Sequence, residues 1–379
     1  QKLYACEDAY KRLLAPSIEN EFRALLKEKA DEKAIQVFSK NLRQLLMASP
    51  LGEKRVLAID PGIRTGCKVV CLNANGRLLS HDVIFPLTNV TESIRILTYL
   101  VKTHDIEAIA IGNGTFSKET EEFIRTIQFD KKIIISLVNE NGASIYSASE
   151  VAREELGDYD ITVRGAVSIG RRLQDPLAEL VKIEPKSIGV GQYQHDVNQT
   201  LLQESLHQTV ESCVNQVGVE LNTASTQLLS YISGIGPVLA KNIVEYRNEN
   251  GAFSSRKDLL KVKRFGQKAF EQSAGFLRIR NGVNPLDNTA VHPERYGVVE
   301  QMAKDVGCSV KELIEDSSKR ENLNLYKYID GNCGLHTLID ILNELNKPSR
   351  DIRTKFEEVT LNKGVNKLEQ IKEGQILEG

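Results

Sequence analysis

Residues 57–66 read LAIDPGIRTG, and the interpretation of the first half of the chain starts from this stretch. An apolar run ends in the carboxylate of Asp60, and Pro61-Gly62 turns the backbone immediately afterwards. Short apolar runs bounded by turn residues are typical of buried strands, so this pattern predicts a strand over 54–60. Segments 67–72 and 78–84 are further strand candidates, and the Asn75-Gly76 pair between them predicts a hairpin.

The segments that follow alternate between helical and strand patterns. Segments 106–111 and 132–138 are apolar and read as buried strands, whereas segments 90–101, 119–127 and 144–156 show helical spacing. Strands joined by a hairpin are antiparallel, and strands joined through a helix are parallel with a right-handed crossover. The order βββαβαβα therefore predicts a mixed sheet flanked by helices.

Composition sets limits on the class of protein. A chain of 379 residues, 41% hydrophobic and 26% charged, is expected to form two to four globular domains. No apolar run approaches the ~20 residues that cross a bilayer and no secretory leader opens the chain, so no membrane partner is expected. The six cysteines form no CxxC pair, which favours a reduced, cytoplasmic protein. The net charge of −2 identifies no partner, because local clusters matter more than the sum.

Two glycine turns between helical segments give the strongest binding signal. Gly234-Ile235-Gly236 precedes a helix that opens with Pro237, and Lys263-Arg264-Phe265-Gly266 precedes a second helix. Tandem helix–hairpin–helix units are the natural interpretation, with the middle apolar residue anchoring each turn. Amide groups at the helix N-termini can then bind phosphate oxygens, largely independently of sequence. The predicted nucleic-acid-binding residues are Gly234, Ile235, Gly236, Lys241, Lys263, Arg264, Gly266, Gln267 and Lys268.

Charge around the second turn agrees with this prediction. Residues 256–280 contain eight basic and two acidic side chains, a local charge of +6. The basic side chains are Arg256, Lys257, Lys261, Lys263, Arg264, Lys268, Arg278 and Arg280. The alternative is a solvated helical face that serves only for packing or protein docking.

The strand order with Asp60 closing the first strand resembles the ribonuclease-H-like fold, particularly its YqgF and resolvase branch. Such nucleases hold two Mg²⁺ ions with three or four carboxylates, because hard divalent ions prefer oxygen ligands. Asp60 and Glu140 match two of these acids. Asn113 stands at the end of the fourth strand, and Arg164 is expected in place of the acid of the late helix, with Asp160 nearby.

The expectation is therefore a degenerate site with Asp60 and Glu140 as vestigial candidates, no confident catalytic or metal-binding residue and no cofactor. Mg²⁺ is expected only if the site is active. A metal-dependent nuclease or resolvase is the alternative for this site. As structural residues, Asp60 is interpreted as a turn residue before Pro61-Gly62 and Glu140 as a helix-entry acid. The glycine turn at 112–115 could take a phosphate but lacks the Gly-Lys-Ser/Thr of a P-loop. His195-Asp196 is interpreted as structural or as a helix cap, and Arg171-Arg172 with Asp175 as surface or interdomain ion pairs.

Several longer motifs make the chain similar to the bacterial Tex family of transcription accessory proteins. They are ENGASIYSASE (140–150), SIGRRLQDPLAELVKI (168–183), IGVGQYQHDV (188–197), FEQSAGFLRI (270–279) and NPLDNTAVHPERY (284–296). The resemblance implies binding of RNA or DNA, a role in transcription, and RNA polymerase or other transcription proteins as partners. It also implies a C-terminal OB-fold RNA-binding domain, so the chain is expected to be a piece of a longer protein.

The expected fold class is multidomain α/β plus all-α, with a ribonuclease-H-like (YqgF-type) mixed sheet followed by tandem helix–hairpin–helix domains. The predicted domains are a helical scaffold segment at 1–51, the YqgF-like domain at 52–183, a linking amphipathic helix at 184–221, the tandem hairpin domain at 222–282, a second related helical domain at 283–360 and the start of the OB-fold at 361–379.

Overall fold

The computed structural model describes residues 2–321, 323–329, 333–346, 351–353 and 356. The chain divides into two compact units, one formed by residues 1–47 with 184–352 and the other by residues 48–183 with 353–379. The predicted start of an OB-fold at 361–379 lies outside the described residues. The predicted domain boundaries stay predictions.

The unit around residues 48–183 is built on one mixed sheet. Its strands are β1 (Val56–Asp60), β2 (Cys67–Leu72), β3 (Leu78–Ile84), β4 (Ala108–Gly112) and β5 (Ile134–Val138). They lie in the order β3-β2-β1-β4-β5. β1 pairs antiparallel with β2 and parallel with β4, whereas β4 and β5 are parallel. The predicted strand order and the mixed sheet are confirmed.

Helices connect and cover these elements and form most of the other unit. In chain order they are α1 (Lys2–Ala9), α2 (Ala15–Leu46), α3 (Val90–Thr103), α4 (Ser117–Thr126), α5 (Ala143–Ala148), α6 (Glu150–Leu156), α7 (Ile161–Gln174), α8 (Pro176–Leu180), α9 (Gln199–Val217), α10 (Thr226–Ser230), α11 (Pro237–Asn250), α12 (Gln267–Ser273), α13 (Tyr296–Val306), α14 (Val310–Glu315), α15 (Ser317–Glu321) and α16 (Leu335–Asn346). A π-helical turn, Tyr10–Leu14, joins α1 to α2, and a 3₁₀ helix, Arg256–Lys261, precedes α12.

The sheet is buried on both faces, which explains why its central strand is continuously apolar. Leu57 and Ile59 of β1 pack into one core cluster, and Val56 and Ala58 pack into a second. Successive residues of a strand point to opposite faces, so covering both faces requires every position to be apolar. α7 lies close to the sheet at Gly170, where an added Cβ would lie 2.6 Å from a methyl of Leu72.

The other unit contains a pair of packed helices and the two hairpin regions. α2 and α9 run parallel, because Asp31 bonds the amide of Asn198 while Arg43 bonds Ser212 and Gln216 further along both helices. Two short parallel strands, β6 (Val219–Glu220) and β7 (Leu277–Arg278), tie the start of the hairpin region to its end.

Residues 286–345 bury a separate apolar cluster in the same unit, built from α13, α14 and α16 around Val299, Leu313 and Leu338. Across the described part of the chain, no helix combines the length and apolar character that a membrane span requires.

Candidate functional site

The two glycine turns adopt the same backbone geometry. Gly234 and Arg264 both lie in the left-handed region, with φ of 82° and 62°. The next residue in each turn, Ile235 or Phe265, is only 2% or 4% exposed. Each turn is therefore anchored by one buried side chain, as the sequence predicts. Arg264 is unusual, because a residue with a side chain seldom occupies this region and its strain costs about 1–2 kcal/mol.

A glycine ends each turn and caps the helix that follows it. Gly236 precedes α11 with φ −83° and ψ 177°, and Gly266 precedes α12 with φ −90° and ψ 175°. Any residue can adopt these angles, and a Cβ added at either position would meet no atom within 4 Å. Neither helix start receives a side-chain capping bond. The amide groups at both helix starts are thus left open to an external acceptor.

The two turns brace each other. A Cβ at Gly234 would lie 2.8 Å from Cβ of Gln272 in α12, so the first turn packs closely against the second helix. In return, the side-chain amide of Asn242 in α11 donates to the carbonyl of Lys263 at 2.8 Å. The two glycine-capped helix starts therefore belong to one packed body.

The polar residues predicted to bind nucleic acid all lie on the surface of this body. Lys241, Lys263, Arg264, Gln267 and Lys268 are exposed. Lys241 faces Glu245 at 3.9 Å, and the amide of Gln267 donates to Glu271 at 3.0 Å. Exposed ion pairs at such distances are weak, so the lysine remains available to a phosphate.

The structure corrects the expected basic surface at two positions. Arg256 is fully buried, and its guanidinium donates to the carbonyls of Leu277, Thr289 and Val291 and to the hydroxyl of Tyr296. Arg278 donates to the carbonyl of Gly275 at 2.6 Å, and burial lowers its pKa to about 10. Arg256 is therefore a structural residue that adds no surface charge, and the guanidinium of Arg278 is held against the backbone.

A third glycine turn, between α13 and α14, is closed by the chain itself. Gly307 has φ 72° and Ser309 caps α14. The carboxylate of Glu312 accepts hydrogen bonds from the backbone amide and the hydroxyl of Ser309, at 2.8 and 2.9 Å. The carboxylate of Glu312 thus occupies the place where a phosphate would have to bind. The turns that end at Gly236 and Gly266 differ from this one, because no carboxylate among the described residues covers them.

The predicted carboxylate pair does come together in the unit around residues 48–183. Asp60 is half-buried at the end of β1, and its pKa is raised to about 6 because burial disfavours the charged form and Glu140 repels it. Lys68 partly offsets both effects. The two acids predicted from strand ends are therefore electrostatic neighbours.

Glu140 lies over the glycine turn that follows β4. A Cβ on Gly114 would overlap its carboxylate, and a Cβ on Gly112 would lie 2.5 Å from Oε2. The side chain of Asn113 accepts a hydrogen bond from the backbone amide of Glu140 at 3.1 Å. This turn, considered above as a phosphate cradle, is thus filled by an internal carboxylate.

The expectation for the late helix needs a correction. Arg164 does not approach Asp60, because its guanidinium donates to the backbone carbonyls of Leu156, Tyr159 and Gly157. Gly165 faces the acid instead, since a Cβ there would lie 3.6 Å from Oδ2 of Asp60. Neighbouring residues on a helix point about 100° apart, so an error of one residue in the predicted register places Arg164 where Gly165 stands.

The nearby acid Asp160 is the N-cap of α7 and accepts hydrogen bonds from the amide and hydroxyl of Thr162. The residues present do not fit a two-metal centre: Gly165 offers no donor at the late-helix position and Lys68 adds a positive charge. Among the described residues, no group of three or more His, Cys, Asp or Glu side chains could hold a metal ion.

One supporting residue was misassigned from the sequence. The sequence predicts surface or interdomain ion pairs for Arg172, but this residue is only 3% exposed. Its guanidinium donates to the carbonyls of Asn139 and Asn141, at 2.9 and 2.7 Å, and so holds the backbone on both sides of Glu140. The arginine pair in SIGRRLQDP was visible, but nothing in the local pattern shows which member faces inward.

Comparisons with known proteins agree with this architecture. Residues 54–174 match the Tex protein YqgF-like domain, residues 214–278 a helix-hairpin-helix motif and residues 284–353 an HHH domain. Protein YhgF of Escherichia coli (strain K12) is 49% identical over 369 residues, which is 96% of this chain and 47% of the relative. Transcriptional accessory protein Tex of Neisseria gonorrhoeae is 50% identical over 367 residues, 96% of this chain and 48% of the relative.

A human relative, S1 RNA-binding domain-containing protein 1, is 35% identical over 436 residues, 98% of this chain and 44% of the relative. The fold and the turns define a protein that joins a ribonuclease-H-like domain of the YqgF type to helix–hairpin–helix domains, as predicted. The chain belongs to the Tex family. It spans about half the length of the curated relatives it matches.

Proposed function

We propose that this chain is a non-catalytic, nucleic-acid-binding scaffold of a transcription accessory protein. Its two open helix–hairpin–helix turns bind the sugar-phosphate backbone of RNA or DNA with little sequence specificity. The observation that carries this proposal is the pair of glycines, Gly236 and Gly266, at equivalent positions where the fold itself does not require glycine.

Neither helix capping nor local packing requires glycine at these two positions. Serine, aspartate or asparagine would cap a helix at least as well, and the local space and φ angles accept a side chain. Glycine without a structural reason is typical of a position where a ligand approaches the backbone closely. A phosphate oxygen is the fitting ligand, because helix N-termini carry partial positive charge and free amide donors.

The surface charge supports the same ligand. Lys263, Arg264 and Lys268 are exposed around the second turn, where each neutralised phosphate adds to the affinity by releasing counterions. Two relatives, a transcriptional accessory protein and an S1 RNA-binding domain-containing protein, favour transcription as the setting and RNA as a ligand. RNA polymerase or another transcription protein is the proposed protein partner. The proposed binding needs no metal ion.

The test is the double variant Gly236→Ala/Gly266→Ala, titrated with single-stranded RNA, single-stranded DNA and duplex DNA. We expect stability within about 1 kcal/mol of the wild type, because alanine caps a helix less well than glycine but restricts the unfolded chain. Affinity should be lower by about 10- to 100-fold, because a methyl group would separate each phosphate from its charge-assisted amide bond. Gly297→Ala in α13 is the matched control, since an added Cβ there also meets no atom within 4 Å. That control should bind like the wild type.

A second variant tests the charge contribution separately. Replacing Lys263, Arg264 and Lys268 by glutamate should lower affinity and reduce the slope of log affinity against log salt by about 0.9 per lost phosphate contact on duplex DNA. If the glycine variant and the charge variant both bind like the wild type, the turns are not the nucleic-acid interface.

A further inference from the structure

The loop at 188–198, which precedes α9, carries an exposed aromatic residue with an unusual backbone conformation. Tyr193 is 77% exposed and has φ 60°, in the left-handed region. A bulky residue in this region is an outlier, and such outliers persist where the surrounding structure enforces them. Glycine would remove the strain, and a polar residue would remove the exposed apolar surface.

Side-chain amides hold the loop in one conformation. Gln194 is only 6% exposed, donates to the carbonyl of Lys186 at 2.6 Å and accepts from the amide of Val190 at 3.3 Å. The amide of Gln199 donates to the carbonyls of Gln194, His195 and Val197. The backbone that presents Tyr193 is therefore ordered before any ligand arrives, which lowers the entropic cost of binding.

Contacts with α2 hold the same loop in place. Asn41 donates to the carbonyl of Val190 at 2.7 Å, and Gly191 lies so close to the ring of Phe38 that a Cβ would overlap it. Asn198, not Asp196, caps α9, which corrects the cap considered from the sequence. The backbone carbonyls of His195 and Asp196 accept hydrogen bonds from Gln199 and Lys27, and the backbone amide of Asp196 donates to the carbonyl of Tyr193.

The surroundings of Tyr193 indicate the kind of ligand. Between residues 184 and 200, Tyr193 is the large apolar side chain that is exposed. Protein interfaces depend on clustered, fully desolvated anchors, whereas base stacking needs only one free ring face. The ring face is thus the feature that a ligand can use.

The loop and the first open turn lie at opposite ends of α9. The loop directly precedes the start of this 19-residue helix. Near the end of the helix, the side chain of Asn215 donates to the carbonyl of Tyr231 and accepts from the amide of Ser233, next to Gly234. At 1.5 Å per residue the helix is roughly 28 Å long. That length corresponds to about eight nucleotides at a stacked spacing of 3.4 Å.

We propose that Tyr193 is a stacking platform for an unpaired base of a single-stranded nucleic acid whose backbone is bound at the open turns. This inference rests on the proposed function and adds a preference for single strands. It assigns a role to the IGVGQYQHDV motif, which the turns do not explain.

The test uses the absence of tryptophan from this sequence. Tyr193→Trp introduces a single reporter, and titration with a 20-nucleotide single-stranded RNA should quench its emission as a base stacks on it. Tyr193→Gly keeps the left-handed backbone, so it should unfold at the wild-type temperature or above while binding the RNA about 5- to 100-fold more weakly. Tyr193→Phe should retain binding. Tyr326→Ala, which removes another exposed tyrosine (73%), should have no effect.

The charge variant at Lys263, Arg264 and Lys268 separates the two proposals. If that variant loses binding while Tyr193→Gly binds like the wild type and the tryptophan emission is unchanged, the stacking role is refuted and the turns stand. If the glycine variant and the charge variant both bind like the wild type, or the wild type binds no RNA, both proposals fail. Equal losses on single-stranded RNA and duplex DNA in Tyr193→Gly would also refute stacking on an unpaired base.

Discussion

Asp60→Asn should make the YqgF-like unit more stable at neutral pH. The pKa of Asp60 is raised from 3.8 to about 6, first by burial and second by repulsion from Glu140. A raised carboxyl pKa means that the native state holds the proton more tightly than the unfolded chain does. The folded protein therefore loses stability as the pH rises from about 4 through about 6, and the loss is complete above that range.

The size of the effect follows from the same pKa. A rise from 3.8 to about 6 corresponds to roughly 3 kcal/mol at 1.36 kcal/mol per pKa unit. Asp60 is only half-buried and an amide also loses hydration there, so we expect Asp60→Asn to add about 1–3 kcal/mol at pH 8 and almost nothing at pH 4.

The measurement is urea unfolding between pH 4 and pH 8, with amide hydrogen exchange in β1 reporting on this unit separately. Asp158→Asn, at an exposed position, is the control and should show no such gain. If Asp60→Asn is equally stable at both pH values, or is less stable than the wild type at pH 8, then Asp60 is not a desolvated acid and the reasoning is wrong.

Three further substitutions test the structure around the turns. Arg256→Met should lower the free energy of unfolding by about 3–5 kcal/mol in a urea titration, because it leaves buried carbonyl acceptors without donors; a loss below 1 kcal/mol would contradict the buried arginine. Gly234→Ala should cost about 2 kcal/mol by thermal unfolding, since φ is 82° and Gln272 is 2.8 Å from the added Cβ. Arg264→Gly should raise stability by about 1 kcal/mol yet weaken nucleic-acid binding, and a variant that binds as tightly as the wild type would refute its role.

The comparison of turns explains why not every glycine turn in this chain serves as a phosphate site. At the turn ending with Ser309 the carboxylate of Glu312 already bonds the amide, and the turn after β4 is covered by Glu140. Gly236 and Gly266 carry neither a capping side chain nor a covering carboxylate. Glu312 belongs to the local capping box of Ser309, but the block at the turn after β4 is not visible in that turn's own sequence, because Glu140 comes from a later segment.

Much of the architecture was determined by the sequence itself. Apolar runs, the Asn75-Gly76 hairpin and helical spacing predict the strands and their order, because each of these signals is local and acts within a few residues. The two turns were also visible, since a left-handed corner, a buried middle residue and a helix-starting glycine are all encoded in four consecutive positions.

Tertiary packing decided which of the candidate side chains face a ligand. Only the rotation of α7 against the sheet places Gly165 beside Asp60 and turns Arg164 away, and only the packing of residues 286–296 on the hairpin region buries Arg256. The left-handed backbone of Tyr193 is likewise held by residues of α2 and α9. Local sequence patterns cannot determine which side chains are buried or exposed at these positions. Each case depends on contacts between segments that are far apart in the chain and meet only in the folded protein.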